Sequence, residues 1–171
     1  MKLSPRYKMP FKRRHAYKTD YKKRLKMLKS KLPRLVVRRS LKYITAQIAE
    51  YENKSDKIRV AATSRELKKL GWEFACDNLP AGYLTGLLIG KKSLSKNITQ
   101  AVLNGGLYPS VKGSRIYAVA KGAIDAGLKV PVDSGVMPSD DRIKGGHISH
   151  NEKFKKMPEE FEKVKQRILG G

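Results

Sequence analysis

The residues best suited to chemistry are cations and aromatic rings, and they crowd into one end of the sequence. Residues 1–42 hold 17 Lys and Arg against the single acid Asp20, with Tyr7, Phe11, Tyr17 and Tyr21 interleaved among them. Cationic side chains neutralise phosphates while ring faces stack on unpaired bases, so this mixture suits RNA. Tyr21 has an alternative use, docking a helix on the core. Across all 171 residues, 38 Lys and Arg face 15 Asp and Glu, a formal net charge of +23. Solubility alone needs a net charge of only about 2–8. Each neutralised phosphate, by contrast, releases condensed counterions, so the expected partner is a polyanion.

Other patterns imitate chemical sites and fall short. Gly86, Gly90, Lys91 and Ser93 suggest a nucleotide loop, but three residues separate the glycines where such a loop needs four. Asp140, Asp141, His147, His150 and Glu152 carry metal-ligand chemistry, yet they lie in a glycine-containing segment with no regular scaffold and no nearby cysteine. A polar loop against RNA is the simpler reading, and no metal or other cofactor is expected. Cys76, the only cysteine, cannot bridge internally and has no sequence partner for nucleophilic catalysis. The rival reading of an RNA-processing enzyme lacks a convergent acid, base or metal cluster. A membrane-surface protein needs a broad apolar face that the basic arm does not have. The longest apolar run, 79–90, is too short to cross a bilayer and no signal peptide is evident, so a soluble cytoplasmic protein is expected.

The elements that must position these groups follow from periodicity. Residues 1–18, with Pro5 and Pro10 and no hydrophobic period, read as an extended tail. Thr19 or Asp20 caps a helix to about residue 29, with Tyr21, Leu25 and Leu28 on one face and Lys22, Lys26 and Lys29 on another. Strands are expected at 34–39, 43–51 and 57–63, placing Ile44, Ala46 and Ile48, then Ile58, Val60 and Ala62, on core faces. The short breaks at 40–42 and 53–56 make an antiparallel meander. Ser64 caps a short helix closed by Gly71. Asn78 opens a longer one running to about residue 92, with Pro80 in its first turn and Gly82, Gly86 and Gly90 allowing close approach of a neighbour.

A buried strand at 99–103 and a helix at 112–126 complete the core. That helix carries the stripe Ile116, Val119, Ala120, Ala123 and Ile124, and Gly127 ends it. Residues 132–157 read as loop and 158–169 as a last helix, with Glu159 and Glu160 in its first turn. The expected fold class is α/β: an antiparallel meander extended by a further strand, helices packed on the sheet, a basic N-terminal arm and a C-terminal extension. Its parts are the arm and short helix at 1–32, an RNA-binding core at 33–131, and the extension at 132–171.

Ordered blocks of this sequence resemble a known family. Pro5-Arg6-Tyr7-Lys8, Pro10-Phe11-Lys12-Arg13-Arg14 and Thr19-Asp20-Tyr21 are followed by Arg24-Leu25-Lys26-Met27-Leu28-Lys29-Ser30 and Pro33-Arg34-Leu35-Val36-Val37-Arg38. Ala81-Gly82-Tyr83-Leu84-Thr85-Gly86-Leu87-Leu88, Gly113-Ser114-Arg115, Gly122-Ala123-Ile124-Asp125-Ala126-Gly127-Leu128, Val130-Pro131 and Gly146-His147-Ile148 continue the series. Over about residues 4–150 the chain resembles ribosomal protein eighteen of the large subunit in its archaeal form. The stretch after Asn151 has no counterpart in that resemblance. The resemblance implies a structural, non-catalytic protein that binds 5S rRNA, touches 23S rRNA and neighbouring large-subunit proteins, and helps seat 5S rRNA in the central protuberance.

The expected RNA-binding residues form three groups. Arg6, Tyr7, Lys8, Phe11, Lys12, Arg13, Arg14, Lys18, Tyr21, Lys22, Arg24 and Lys26 come from the arm and its helix. Arg39, Ser40 and Lys42 come from the first hairpin turn. Lys112, Gly113, Ser114 and Arg115 come from the start of the 112–126 helix, where unpaired N–H groups and a partial positive charge favour phosphate. The resemblance implies that this last turn faces 5S rRNA.

Overall fold

A computed structural model describes residues 6–53 and 55–170. Lys2 and Pro5, read above as part of the arm, lie outside the described residues. Among those described, the sheet comprises β1 (Arg34–Arg39), β2 (Ile44–Glu52), β3 (Ser55–Thr63) and β4 (Val102–Asn104). Its order is β3-β2-β1-β4, with antiparallel pairing except for β4, which runs parallel to β1. The meander follows from Leu35, Val37, Ile44, Ala46, Ile48, Val60 and Ala62, which alternate onto one face and are buried there. Ile58 does not join them and is 54% exposed. The register shifts where Ile48 pairs with Val60 and Ala49 with Ile58, leaving Arg59 as an extra residue that breaks the alternation.

Helix α1 (Lys12–His15) is a single turn within the segment expected to be extended, and α2 (Tyr21–Lys29) follows it. The segment Ser64–Leu70 is a 3₁₀ helix. Its cap is Thr63, in a reciprocal box with Glu66, rather than Ser64; Ser64 Oγ instead accepts the buried Ile44 N–H at 2.9 Å. Helix α3 (Leu79–Leu94) begins at Asn78, whose side chain accepts from Ala81 N, and is buried almost all round. Its main partner is α4 (Arg115–Asp125). A Cβ on Gly86 would collide with the backbone of Val119, and one on Gly122 with the carbonyl of Tyr83, so glycine permits this contact. The expected strand at 99–103 is displaced to β4, leaving Gln100 in an isolated bridge to Lys129.

The segment read as loop after residue 132 contains the short helices α5 (Asp140–Lys144) and α6 (Gly146–Ser149), with 3₁₀ turns on either side. Its periodicity escapes notice because each piece is one turn long and no stripe can repeat. Helix α7 (Met157–Gly170) is the last described element and buries Met157, Phe161, Val164 and Ile168. These pack with Trp72, Tyr83, Leu84 and Leu87 in a second cluster on the far side of α3 from the sheet. Lys91 Nζ donates to the carbonyls of Ile168 and Leu169 at 2.8 and 3.1 Å, satisfying the end of α7 from α3.

Candidate nucleic-acid interface

The arm helix is held by charge more than by apolar burial. Asp20 caps α2 by accepting from Lys22 N at 2.9 Å and Lys23 N at 3.1 Å, and no side chain of the helix is fully buried. Lys22, Lys26 and Lys29 lie on its exposed surface. Arg24 turns inward and grips Asp56 with both terminal nitrogens, at 2.8 and 2.7 Å. Arg34, on β1 and only 1% exposed, donates to the same carboxylate at 2.5 Å. The two hydrogen bonds from Arg24 are the main reason that Asp56 ionises below its ordinary value, and Arg34 adds to the effect. One carboxylate thus joins the arm helix, β1 and β3.

Replacing Asp56 by Ala leaves the buried Arg34 without its counter-charge. The expected loss of stability is about 2–4 kcal/mol, below that of a fully buried pair because Asp56 is partly solvated. Because folding lowers the Asp56 pKa, its contribution is complete above the ordinary carboxylate value and disappears as pH falls through the lowered one. Denaturant melts of both proteins at pH 7 and pH 3 should therefore show a difference that shrinks in acid. An equal difference at both pH values would refute the role assigned to ionised Asp56.

The loop 104–114 gathers the other groups. Lys23 Nζ of α2 donates to Gly106 O at 3.3 Å, and Arg38 Nη1 of β1 donates to Asn104 O at 3.2 Å. Tyr108 OH donates to Arg39 O at 2.9 Å, and the Arg39 guanidinium lies 4.9 Å from the Tyr108 ring centroid. Beside Arg39, Ser40 Oγ closes the hairpin turn by bonding to both backbone groups of Tyr43, while Lys42 is exposed. At the far end of the loop, Gly113 adopts φ +66 and its N–H is taken by Val136 O. Lys112 is exposed, and Ser114 Oγ is shielded from solvent with no hydrogen-bond partner among the described residues. Arg115 points away from this cluster of contacts, bonding Asp77 through its carbonyl at 2.6 Å and its carboxylate at 3.2 Å.

The residues expected from sequence therefore separate into joined and dispersed groups. Arg13, Lys18 and Arg24 line one cavity with Gly106, and Ser114 lines a neighbouring one with Lys23 and Tyr108. Arg13 Nε donates to Thr19 Oγ1 at 3.0 Å. Phe11 packs on Tyr21 with ring centroids 5.1 Å apart, so the partner of Tyr21 is the arm itself rather than the core. Arg6, Tyr7, Lys8, Lys12 and Arg14 lie exposed along the arm. Sequence reasoning did not single out Lys23, Arg34 and Arg38, which line the same cavity as Arg13, Lys18 and Arg24. The signal for the last two was available: Arg34, Val36 and Arg38 share the face of β1 opposite Leu35 and Val37.

The decoys take structural places. Gly86, Gly90, Lys91 and Ser93 lie within α3. Cys76 is buried, and burial pushes its thiol pKa up, away from the reactive thiolate. Among the described residues, no three His, Cys, Asp or Glu side chains are grouped to hold a metal, and no helix is long and apolar enough to cross a membrane.

The fold is a mixed α/β one, a four-stranded, mostly antiparallel sheet with helices packed on it, and it carries a cationic arm whose helix is anchored to that sheet through Asp56. The sequence model of ribosomal large subunit proteins 60S L5 and 50S L18 matches residues 5–105. The large ribosomal subunit protein uL18 of Korarchaeum cryptofilum (strain OPF8) is 47% identical over 149 residues, covering 87% of this chain and 76% of that protein. The chain belongs to this family of large-subunit ribosomal proteins, whose members are structural rather than enzymatic.

Proposed function

We propose that this protein binds 5S rRNA and helps attach it to 23S rRNA in the central protuberance of the large ribosomal subunit. Family membership supports a ribosomal RNA and neighbouring ribosomal proteins as partners. The observation that carries the reading is the gathering of the arm helix, the end of β1 and the first hairpin turn around loop 104–114. Lys23, Arg38 and Arg39 thereby meet one loop, with the Tyr108 ring against the Arg39 guanidinium. Cations in that arrangement track a phosphate backbone, and rings accept bases displaced from a helix.

Lys112, Gly113 and Ser114 extend the proposed surface at the start of α4, and Lys42 and Ser40 extend it at the hairpin. Arg115 belongs to the proposed set through its position, with Asp77 holding its guanidinium. The test is a salt titration of the full chain on 5S rRNA beside an unrelated RNA of similar length. Neutralising about 5–8 phosphates predicts a log–log slope of roughly −4 to −7, and 5S rRNA should be retained more tightly than the unrelated RNA. A nearly salt-independent affinity, or equal affinity for both RNAs, would count against the reading.

A further inference from the structure

Between α2, β1 and loop 104–114 lies a cavity of ≈ 160 Å³ whose lining is unbalanced in charge. Arg13, Lys18, Lys23, Arg24, Arg34 and Arg38 line it, against two carboxylates, Asp20 and Asp56. Both acids are already engaged. Asp20 accepts the backbone N–H groups that open α2, and Asp56 is shared between Arg24 and Arg34. Among the described residues, several of the remaining cations meet only neutral oxygens: Arg13 the Thr19 hydroxyl, Lys23 the Gly106 carbonyl, and Arg38 the Val37 and Asn104 carbonyls.

Arg34 supplies a second, independent sign. It is 1% exposed, and its Nε is shielded from solvent with no hydrogen-bond partner among the described residues. A buried donor on a charged group is costly to leave unpaired. Arg38 sits close enough to Arg34 for the two charges to repel. An anion held by the guanidinium groups that line the cavity would offset that repulsion. Guanidinium forks match the paired oxygens of a phosphate, and the volume admits such a group with its flanking atoms.

We propose that this cavity is a discrete phosphate-binding site, with Arg34 and Arg38 at its base and Arg13, Lys18 and Lys23 around its mouth. The group it takes is a phosphate or diphosphate, either from a bound RNA or from a free anion. The RNA source rests on the proposed 5S rRNA function; the site itself does not.

The test uses the full chain with nitrogen-15 arginine side chains, titrated with pyrophosphate and followed by NMR. Saturable, one-to-one shifts of a few arginine Nε–H signals are expected. Arg38→Gln should weaken pyrophosphate binding about tenfold or more, the loss of one charge-assisted hydrogen bond. Lys23→Gln, at an exposed position on α2, provides a second variant should Arg38→Gln disturb folding. Non-saturating shifts spread over all arginines and unchanged by either variant would mark diffuse counterion binding and overturn the site.

The same variants are then measured on 5S rRNA. Parallel weakening, with pyrophosphate competing, assigns the group to the RNA backbone. Unchanged RNA affinity with saturable pyrophosphate binding assigns the site to a free anion. A chain that binds pyrophosphate but retains no 5S rRNA would sink the proposed function and leave the site standing.

Discussion

Removing residues 1–18 is expected to weaken binding to 5S rRNA by about 10²–10³-fold near 0.15 M salt while leaving the melting transition nearly unchanged. The truncation deletes seven cations: Lys2, Arg6, Lys8, Lys12, Arg13, Arg14 and Lys18. If about four of them engage phosphates, the salt slope per contact corresponds to roughly four- to fivefold in affinity each at that salt, which compounds to the stated range. Tyr7, Phe11 and Tyr17 leave with them, removing the arm's own ring faces. Stability is spared because every described residue from 6 to 18 is exposed or half-buried, and α1 buries nothing. The Phe11–Tyr21 contact is lost, but Phe11 is already 71% exposed. Filter binding at several salt concentrations, paired with thermal melts, measures both quantities. Full RNA affinity in the truncated protein would move the interface wholly onto the folded body.

Phe161→Ala is the second large effect, and it reads stability instead. Phe161 is 1% exposed and packs on Tyr83 with ring centroids 5.6 Å apart. Truncating a buried aromatic costs about 3–5 kcal/mol in lost transfer energy and residual cavity. Leu169→Ala, at a position 52% exposed, is the matched control and should fall within about 0.5 kcal/mol of the parent. The expectation in denaturant is one cooperative transition moved to lower midpoint. A separate early transition for the C-terminal segment would show that α7 folds as an independent extension, as the boundary at residue 132 proposed.

Much of the fold was legible because its signals are local. The alternation of β2, the Asn78 cap with Pro80, and the stripe on α4 each concern residues within a few positions of one another. Where the readings moved, a non-local partner decided. Thr63 took the cap from Ser64 because Ser64 Oγ was claimed by Ile44 N–H across the sheet. Ile58 lost its core place to a register shift against β2, which strand composition cannot show.

The sequence by itself determined the chemistry: an excess of cations, aromatic rings interleaved with them, and a charge concentrated in the first quarter of the chain. Those are properties of residue type and order, and any folded arrangement would retain them. Tertiary structure alone decided which cations meet. Arg24, Arg34 and Asp56 are separated by up to 32 residues and joined by the packing of α2 against the sheet. Lys23 reaches Gly106 across 83 positions, and Arg38 reaches Asn104 across 66, because β4 lies parallel beside β1 and carries the following loop to the end of that strand. The same packing turns Arg115 towards Asp77. Charge is additive along a chain, but pairing depends on distance in space, and only the folded sheet and the elements packed on it set those distances.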